Sequence, residues 1–400
     1  MSEDRRSIHS QGQQFVVFSA LLLVSLAAIA LVVGVSVGIG DLPIPLSTTY
    51  AAISNRLGWT AIELNRIHET VIWDYRLSRA LVAAFCGAGL ALSGAIMQSL
   101  LRNPLAEPYV LGISAGASTG AVAIVILGLG AGTVSLSAGA FAGAFAAFFF
   151  VALLSNGTRG GADRTILAGV AASQLFNAAT SYIVTTSGNA QQARDVMFWL
   201  LGSLGGVRWP EFMLVSVVVG ICLIVCLCYA RVLDAFAFGD EAAASLGVNV
   251  AWARIILFAL TAMMTATIVS MVGTIGFVGL VVPHAARFVV GPLHIRLLPA
   301  CAVVGAIFMV LADIASRALI PQQVLPIGVV TALVGVPFFA VILYRFQRVS
   351  LASGPKISPG RSVPRPFSTA SPSKRSPARC SGFWGRTVTA KLRFYGCLQG

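Results

Sequence analysis

Long apolar runs separated by short polar stretches dominate the chain. An α-helix rises about 1.5 Å per residue, so crossing ~30 Å of hydrocarbon takes about 20 apolar residues. Residues 15–39 carry no charge and follow Arg5 and Arg6. That run exceeds the roughly 7–15 apolar residues of a cleaved signal peptide, so it predicts an uncleaved first span. Residues 80–101, bracketed by Arg79 and Arg102, predict the second. Residues 109–158 hold no charge over 50 positions, enough for two spans with a Gly- and Ser-containing turn near 128–137. Residues 166–185 and 212–230 predict the fifth and sixth. The run 255–286 is long for one crossing and short for two, and the break from Gly273 to Gly276 predicts a full span followed by a short one. Residues 297–312 and 318–344 complete the pattern. Hydropathy supports eight to ten spans, and the 255–287 segment decides the parity.

Composition agrees. The 400 residues are 57% hydrophobic and 10% charged, with a mean hydropathy of +0.87. A soluble domain carries about 25% charged residues. The expected class is an all-α integral membrane protein, and a cytosolic enzyme is excluded. Small residues recur every four positions: Gly112, Gly116 and Gly120 share a helix face, as do Gly139, Gly143 and Ala147. In lipid such ridges allow close backbone approach, the main route to helix association.

The net charge of +13 resembles a nucleic-acid signature until it is divided along the chain. Residues 351–400 hold nine of the 27 basic residues, all three lysines and no acid. They also hold six of the 17 prolines, a composition that cannot bury enough apolar area to fold. Residues 348–400 therefore read as a disordered basic tail or as the product of a shifted reading frame near residue 350. No nucleic-acid partner is implied. Residues 1–14 are expected to form a cytoplasmic N-terminus and residues 15–347 a membrane domain. With both termini inside, eleven arginines fall on the cytoplasmic side and seven on the other, a weak positive-inside bias.

Chemistry is sparse. The spacing of Cys222, Cys226 and Cys228 does not place the three thiols on one helix face, so they read as small hydrophobes rather than a metal site. No lysine follows glycine, so a Walker phosphate loop is absent. Within the spans only Asp313 and His284 are candidate ion relays. The chain reads as a conduit driven by something else.

Two blocks carry a specific resemblance. The first contains RLSRA at 76–80, SGAIMQ at 93–98, RNPLAEP at 102–108 and LGISAG at 111–116. The second contains GFVGLVVPH at 276–284, RLLP at 296–299, LAD at 311–313 and LPIGVVTALVG at 325–335. Together, over about residues 15–347, the chain resembles the permeases of the iron-siderophore, haem and vitamin B12 ABC importers. The resemblance implies a ten-span helical bundle in the bacterial inner membrane with both termini cytoplasmic. It implies a second permease subunit, as a homodimer or with a paralogue. Two ATPase subunits would use ATP and Mg, and a periplasmic binding protein would deliver the cargo. No cofactor is expected on this chain. A ferric siderophore is the first expected cargo, as the commonest family substrate, with cobalamin or haem as alternatives. An ion-coupled secondary transporter is the rival class.

The resemblance also suggests working residues. Arg76, Arg79 and Arg317 match positions that meet acidic residues of the binding protein, a task suited to the planar guanidinium fork. The alternative is that they are interfacial anchors. Asp240, Glu241, Ala242, Ala243, Leu246 and Gly247 fit a short helix lying on the ATPase, with an ordinary capped surface helix as the alternative. Ser173, Asn177 and Ser181 form a polar stripe that faces either the translocation path or a neighbouring helix. Ser155, Asn156, Gly157 and Thr158 are expected to form a cytoplasmic gate. His284, after Pro283, is expected to be a hydrogen-bonded structural histidine.

Overall fold

The computed structural model describes residues 23–40, 42–129, 134–155, 162–187, 189–320 and 323–352. The chain divides into a unit of Met1–Gln347 and one of Arg348–Gly400, and the fold below concerns the first.

The helices in chain order are α1 (Leu23–Gly38), α2 (Leu46–Arg56) and α3 (Arg66–Thr70), then a π-helical turn (Val71–Leu77) leading into α4 (Ser78–Leu100). A short 3₁₀ turn (Pro108–Leu111) precedes α5 (Ile113–Leu127), α6 (Leu136–Leu154), α7 (Ala162–Thr186) and α8 (Ala190–Leu200). There follow α9 (Trp209–Cys228), α10 (Ala230–Phe236), α11 (Asp240–Ser245), α12 (Val250–Val272), α13 (Val278–Val290), α14 (His294–Ala318) and α15 (Ile327–Ala352). Among the described residues, six helices are long and apolar enough to cross a bilayer: the continuous rod Arg66–Leu100, α6, α7, α9, α12 and α14. Four shorter apolar helices, α1, α5, α13 and part of α15, bring the total to the ten expected. The last helix continues to Ala352, five residues past the boundary expected at 347, and the remainder of the tail lies outside the described residues.

The most enclosed span is α4, packed against α14, α12, α13 and α9. Its midpoint reaches α14 through Gly87 and Gly305, where a Cβ on either would strike the other's carbonyl oxygen. The pairing of α5 with α6 uses the expected ridges: Gly116 lies against the Gly143 carbonyl and Gly120 against that of Gly139. Gly112 is not part of this seam. It starts α5 at φ 71° and faces Ala172 of α7.

The break between α12 and α13 falls where the glycines predict it, at 273–277. Backbone groups released inside a membrane domain need partners. Glu107 accepts the Phe277 N–H at 2.9 Å, and the Tyr109 hydroxyl donates to the Ile275 carbonyl at 2.9 Å. Burial pushes the Glu107 carboxyl above its usual range, partly offset by that Phe277 bond. His284 is a structural histidine: Nδ1 lies 3.2 Å from the Leu280 carbonyl. The carbonyl that Pro283 frees, Gly279, is met instead by Gln98 Nε2 at 3.3 Å.

Candidate functional site

Two groups of the residues singled out in the sequence lie at opposite ends of α4. Arg79 sits in its first turn, and residues 101–107 leave its far end toward the α10–α11 hairpin, where Arg102 borders Gly239.

At the first end, Arg76 on the π-helical turn, Arg79, Arg317 in the last turn of α14 and Arg208 at the start of α9 line a cavity of about 200 Å³. Asp313 organises two of them. Its carboxylate, with no solvent exposure, accepts Arg79 Nε at 2.7 Å and Arg317 Nη2 at 2.8 Å. Arg317 also donates to Ser36 Oγ at 2.8 Å and to the Ile39 carbonyl. Arg76 donates to the Val37 carbonyl at 3.2 Å and to that of Leu42. The last carbonyls of a helix have no internal partners, and cations at that end interact favourably with its dipole. Arg76 and Arg317 thus cap α1 while facing the cavity, a role not foreseen from sequence. Arg76 is only 7% exposed, so it does not snorkel outward as an interfacial anchor. Arg208, also not anticipated, stacks 3.8 Å above the Tyr75 ring. Its signal was present among the seven arginines expected on that side, but nothing local linked it to Arg76.

At the other end, α10 and α11 form a hairpin. Asp240 opens α11 as expected, and Arg254 of α12 donates to both its carboxylate oxygens at 2.8 Å. Glu241 is exposed, Ala242 is half-buried, and Gly247 ends the turn at φ 82°. Ala243, expected to face a partner, does not. It is fully buried, because the hairpin folds back onto its own bundle along that side of the helix. The outward apolar residues are Leu246, 72% exposed, and Phe238, 81% exposed.

On α7 the polar residues split. Thr180 turns inward and its hydroxyl meets that of Thr119 at 2.8 Å. Ser173 is half-buried, while Asn177 and Ser181 are exposed and their side chains make no hydrogen bond among the described residues. Ser155 is buried and donates to the Ala152 carbonyl at 3.2 Å. Asn156, Gly157 and Thr158 lie outside the described residues. Among the described residues no three His, Cys, Asp or Glu side chains converge in the manner of a metal site.

Residues 25–345 match the FecCD transport family. The chain belongs to that family. It is 37% identical over 345 residues to the cobalamin import system permease protein BtuC of Halobacterium salinarum, covering 83% of this chain and 90% of the relative. It is 38% identical over 281 residues to the vitamin B12 import system permease protein BtuC of Salmonella paratyphi A, covering 70% and 85%. An ABC transporter permease protein of Bacillus subtilis, YvrB, is 35% identical over 331 residues, covering 81% and 92%. A solved inward-facing structure described as a metal-chelate type ABC transporter superposes with a TM-score of 0.71 at 29% identity, over 82% of this chain and 99% of that one. The chain is therefore a membrane-spanning permease of this ABC transporter family.

Proposed function

We propose that this chain is the permease subunit of an ABC importer in the bacterial inner membrane that carries a metal chelate, with cobalamin as the first cargo. The carrying observation is the similarity to permeases named for cobalamin and vitamin B12, which covers 83% and 70% of this chain. It reverses the order expected from sequence, where a ferric siderophore came first. The siderophore remains the second reading, favoured by the broader metal-chelate description of the solved neighbour.

In this reading the arginine end faces outward and both termini are cytoplasmic. A binding protein places acidic side chains at the cavity of Arg76, Arg79, Arg208 and Arg317. Asp313 holds two of those guanidiniums in place before docking, so little ordering entropy is lost when a carboxylate arrives. The α11 segment from Asp240 to Gly247 rests on one of two ATPase subunits, with Leu246 and Phe238 as its apolar tips. Those subunits hydrolyse ATP with Mg. A second permease subunit completes the path, toward which the exposed Asn177 and Ser181 turn, with Ser173 at the edge. Polar side chains facing lipid would be costly, which supports placing this stripe on a wet surface. Residues 155–158 serve as the inner gate.

Uptake by the reconstituted importer tests the cargo. Liposomes carrying the permease, its ATPase and its binding protein, with ATP and Mg, are expected to accumulate cyanocobalamin and not a ferric hydroxamate siderophore. Uptake of the siderophore alone would reverse the assignment.

A further inference from the structure

Helices α4 and α14 are fastened to each other at both ends, and each fastening adjoins a different working surface. At one end Arg79 of α4 donates to Asp313 of α14 at 2.7 Å. Twenty positions along α4, about 30 Å at the α-helical rise, Ser99 Oγ lies 2.6 Å from His294 Nε2 at the start of α14. Between these points the contact of Gly87 with Gly305 leaves no side-chain layer between the two backbones.

The second fastening extends one residue further. His294 Nδ1 meets Asp234 Oδ1 at 2.6 Å, and the His294 backbone N–H donates to the same oxygen at 3.0 Å. Asp234 lies on α10, which continues through Gly239 into α11. The hairpin therefore carries two anchored carboxylates with different partners. Asp240 ties it to α12 through Arg254, whereas Asp234 ties it to α14 and, through His294, to α4.

A serine, a histidine and an aspartate in this order resemble a hydrolytic relay. Here, however, Ser99 is 8% exposed and its hydroxyl donates to the Ala95 carbonyl at 3.0 Å. A buried hydroxyl already committed to the carbonyl of its own helix suits a joint and not a nucleophilic centre.

We propose that α4 and α14 form a rigid strut that carries the state of the arginine end to the coupling hairpin, with Ser99, His294 and Asp234 as positioning residues at its inner joint. This rests on the docking and coupling roles proposed above. Coupling between distant sites travels through rigid elements and hydrogen-bonded contacts. A seam packed backbone against backbone transmits displacement instead of absorbing it. With the Asp234 joint removed, the hairpin keeps its tie to α12 through Asp240 and the packing of α10 on the bundle, and still holds the ATPase, but it loses its hydrogen-bonded link to α14 and α4.

The test uses the whole importer in lipid nanodiscs, measuring ATP hydrolysis with and without its binding protein. His294→Ala and Asp234→Ala are expected to retain bound ATPase and basal hydrolysis. Their stimulation by the binding protein should fall by about fivefold or more, the lower end of ordinary allosteric coupling. Asp234→Asn, which keeps an oxygen for the His294 backbone N–H, should recover most of that stimulation. Ser99→Ala removes a single hydroxyl and serves where the larger changes prevent assembly, with a loss in the same direction. Stimulation equal to wild type in these variants overturns the strut alone, as does a parallel fall of basal and stimulated rates. A wild-type importer that shows no stimulation removes the docking reading and the strut together.

Discussion

Asp313, on α14, has no solvent exposure and accepts the Nε–H of Arg79, on α4, at 2.7 Å. Arg317 shares the same carboxylate. Removing one partner of a buried ion pair leaves charge without compensation and typically costs about 3–5 kcal/mol. Asp313→Ala is accordingly expected to lower the melting temperature of the purified permease sharply. Arg208→Ala, whose guanidinium lies over Tyr75 instead of Asp313, should lower it much less. A melting curve for Asp313→Ala that overlays wild type would show that the two arginines are held by other means.

The hairpin separates packing from contact. Ala243 is fully buried, so Ala243→Leu overpacks the bundle, at a cost of about 1–3 kcal/mol, and should reduce stability and transport together. Leu246 and Phe238 are exposed, and replacing both with Ser should leave melting nearly unchanged while weakening retention of the ATPase. Co-purification of the ATPase at wild-type yield with the double variant would contradict the outward role of these residues.

The α4–α14 seam makes a similar distinction between glycines. Gly305→Ala places a methyl against the Gly87 carbonyl, and a loss of about 1–3 kcal/mol is expected in thermal unfolding. Gly220→Ala, on α9, meets nothing within 4 Å and should be neutral, or stabilising by up to about 1 kcal/mol. Equal losses at both positions would mean that helix propensity and not close approach governs them.

Asn177 is exposed and makes no side-chain hydrogen bond among the described residues. Asn177→Leu should therefore leave the fold intact and lower cargo uptake several-fold by drying the path, since each apolar group in a polar channel removes a water partner. Unchanged uptake in the assembled importer would place this stripe against a helix or lipid instead.

The spans were legible in the sequence because hydropathy is encoded locally: each apolar run of 15 to 25 residues maps onto one helix, and the glycines at 273–276 mark the α12–α13 break. The Gly116–Gly143 seam was legible for the same reason, since four-residue spacing fixes a helix face. What could not be read depends on distant pairing. Asp234 lies 60 positions from His294, and Ser99 lies 195. Arg208 joins Arg76 only through the fold. The burial of Ala243 also had no local signal, because α11 spans six residues and is too short to show a periodicity. The short helices α2, α3 and α8 went unread because they are not long apolar runs.

The central claim is that this chain forms a path whose driving force comes from a separate ATPase. The most direct measurement is uptake of cyanocobalamin into liposomes containing the permease alone, compared with liposomes that also contain its ATPase and binding protein. The account predicts accumulation against a gradient only in the complete system with ATP and Mg. Concentrative uptake by the permease alone, driven by a proton or sodium gradient, would contradict it.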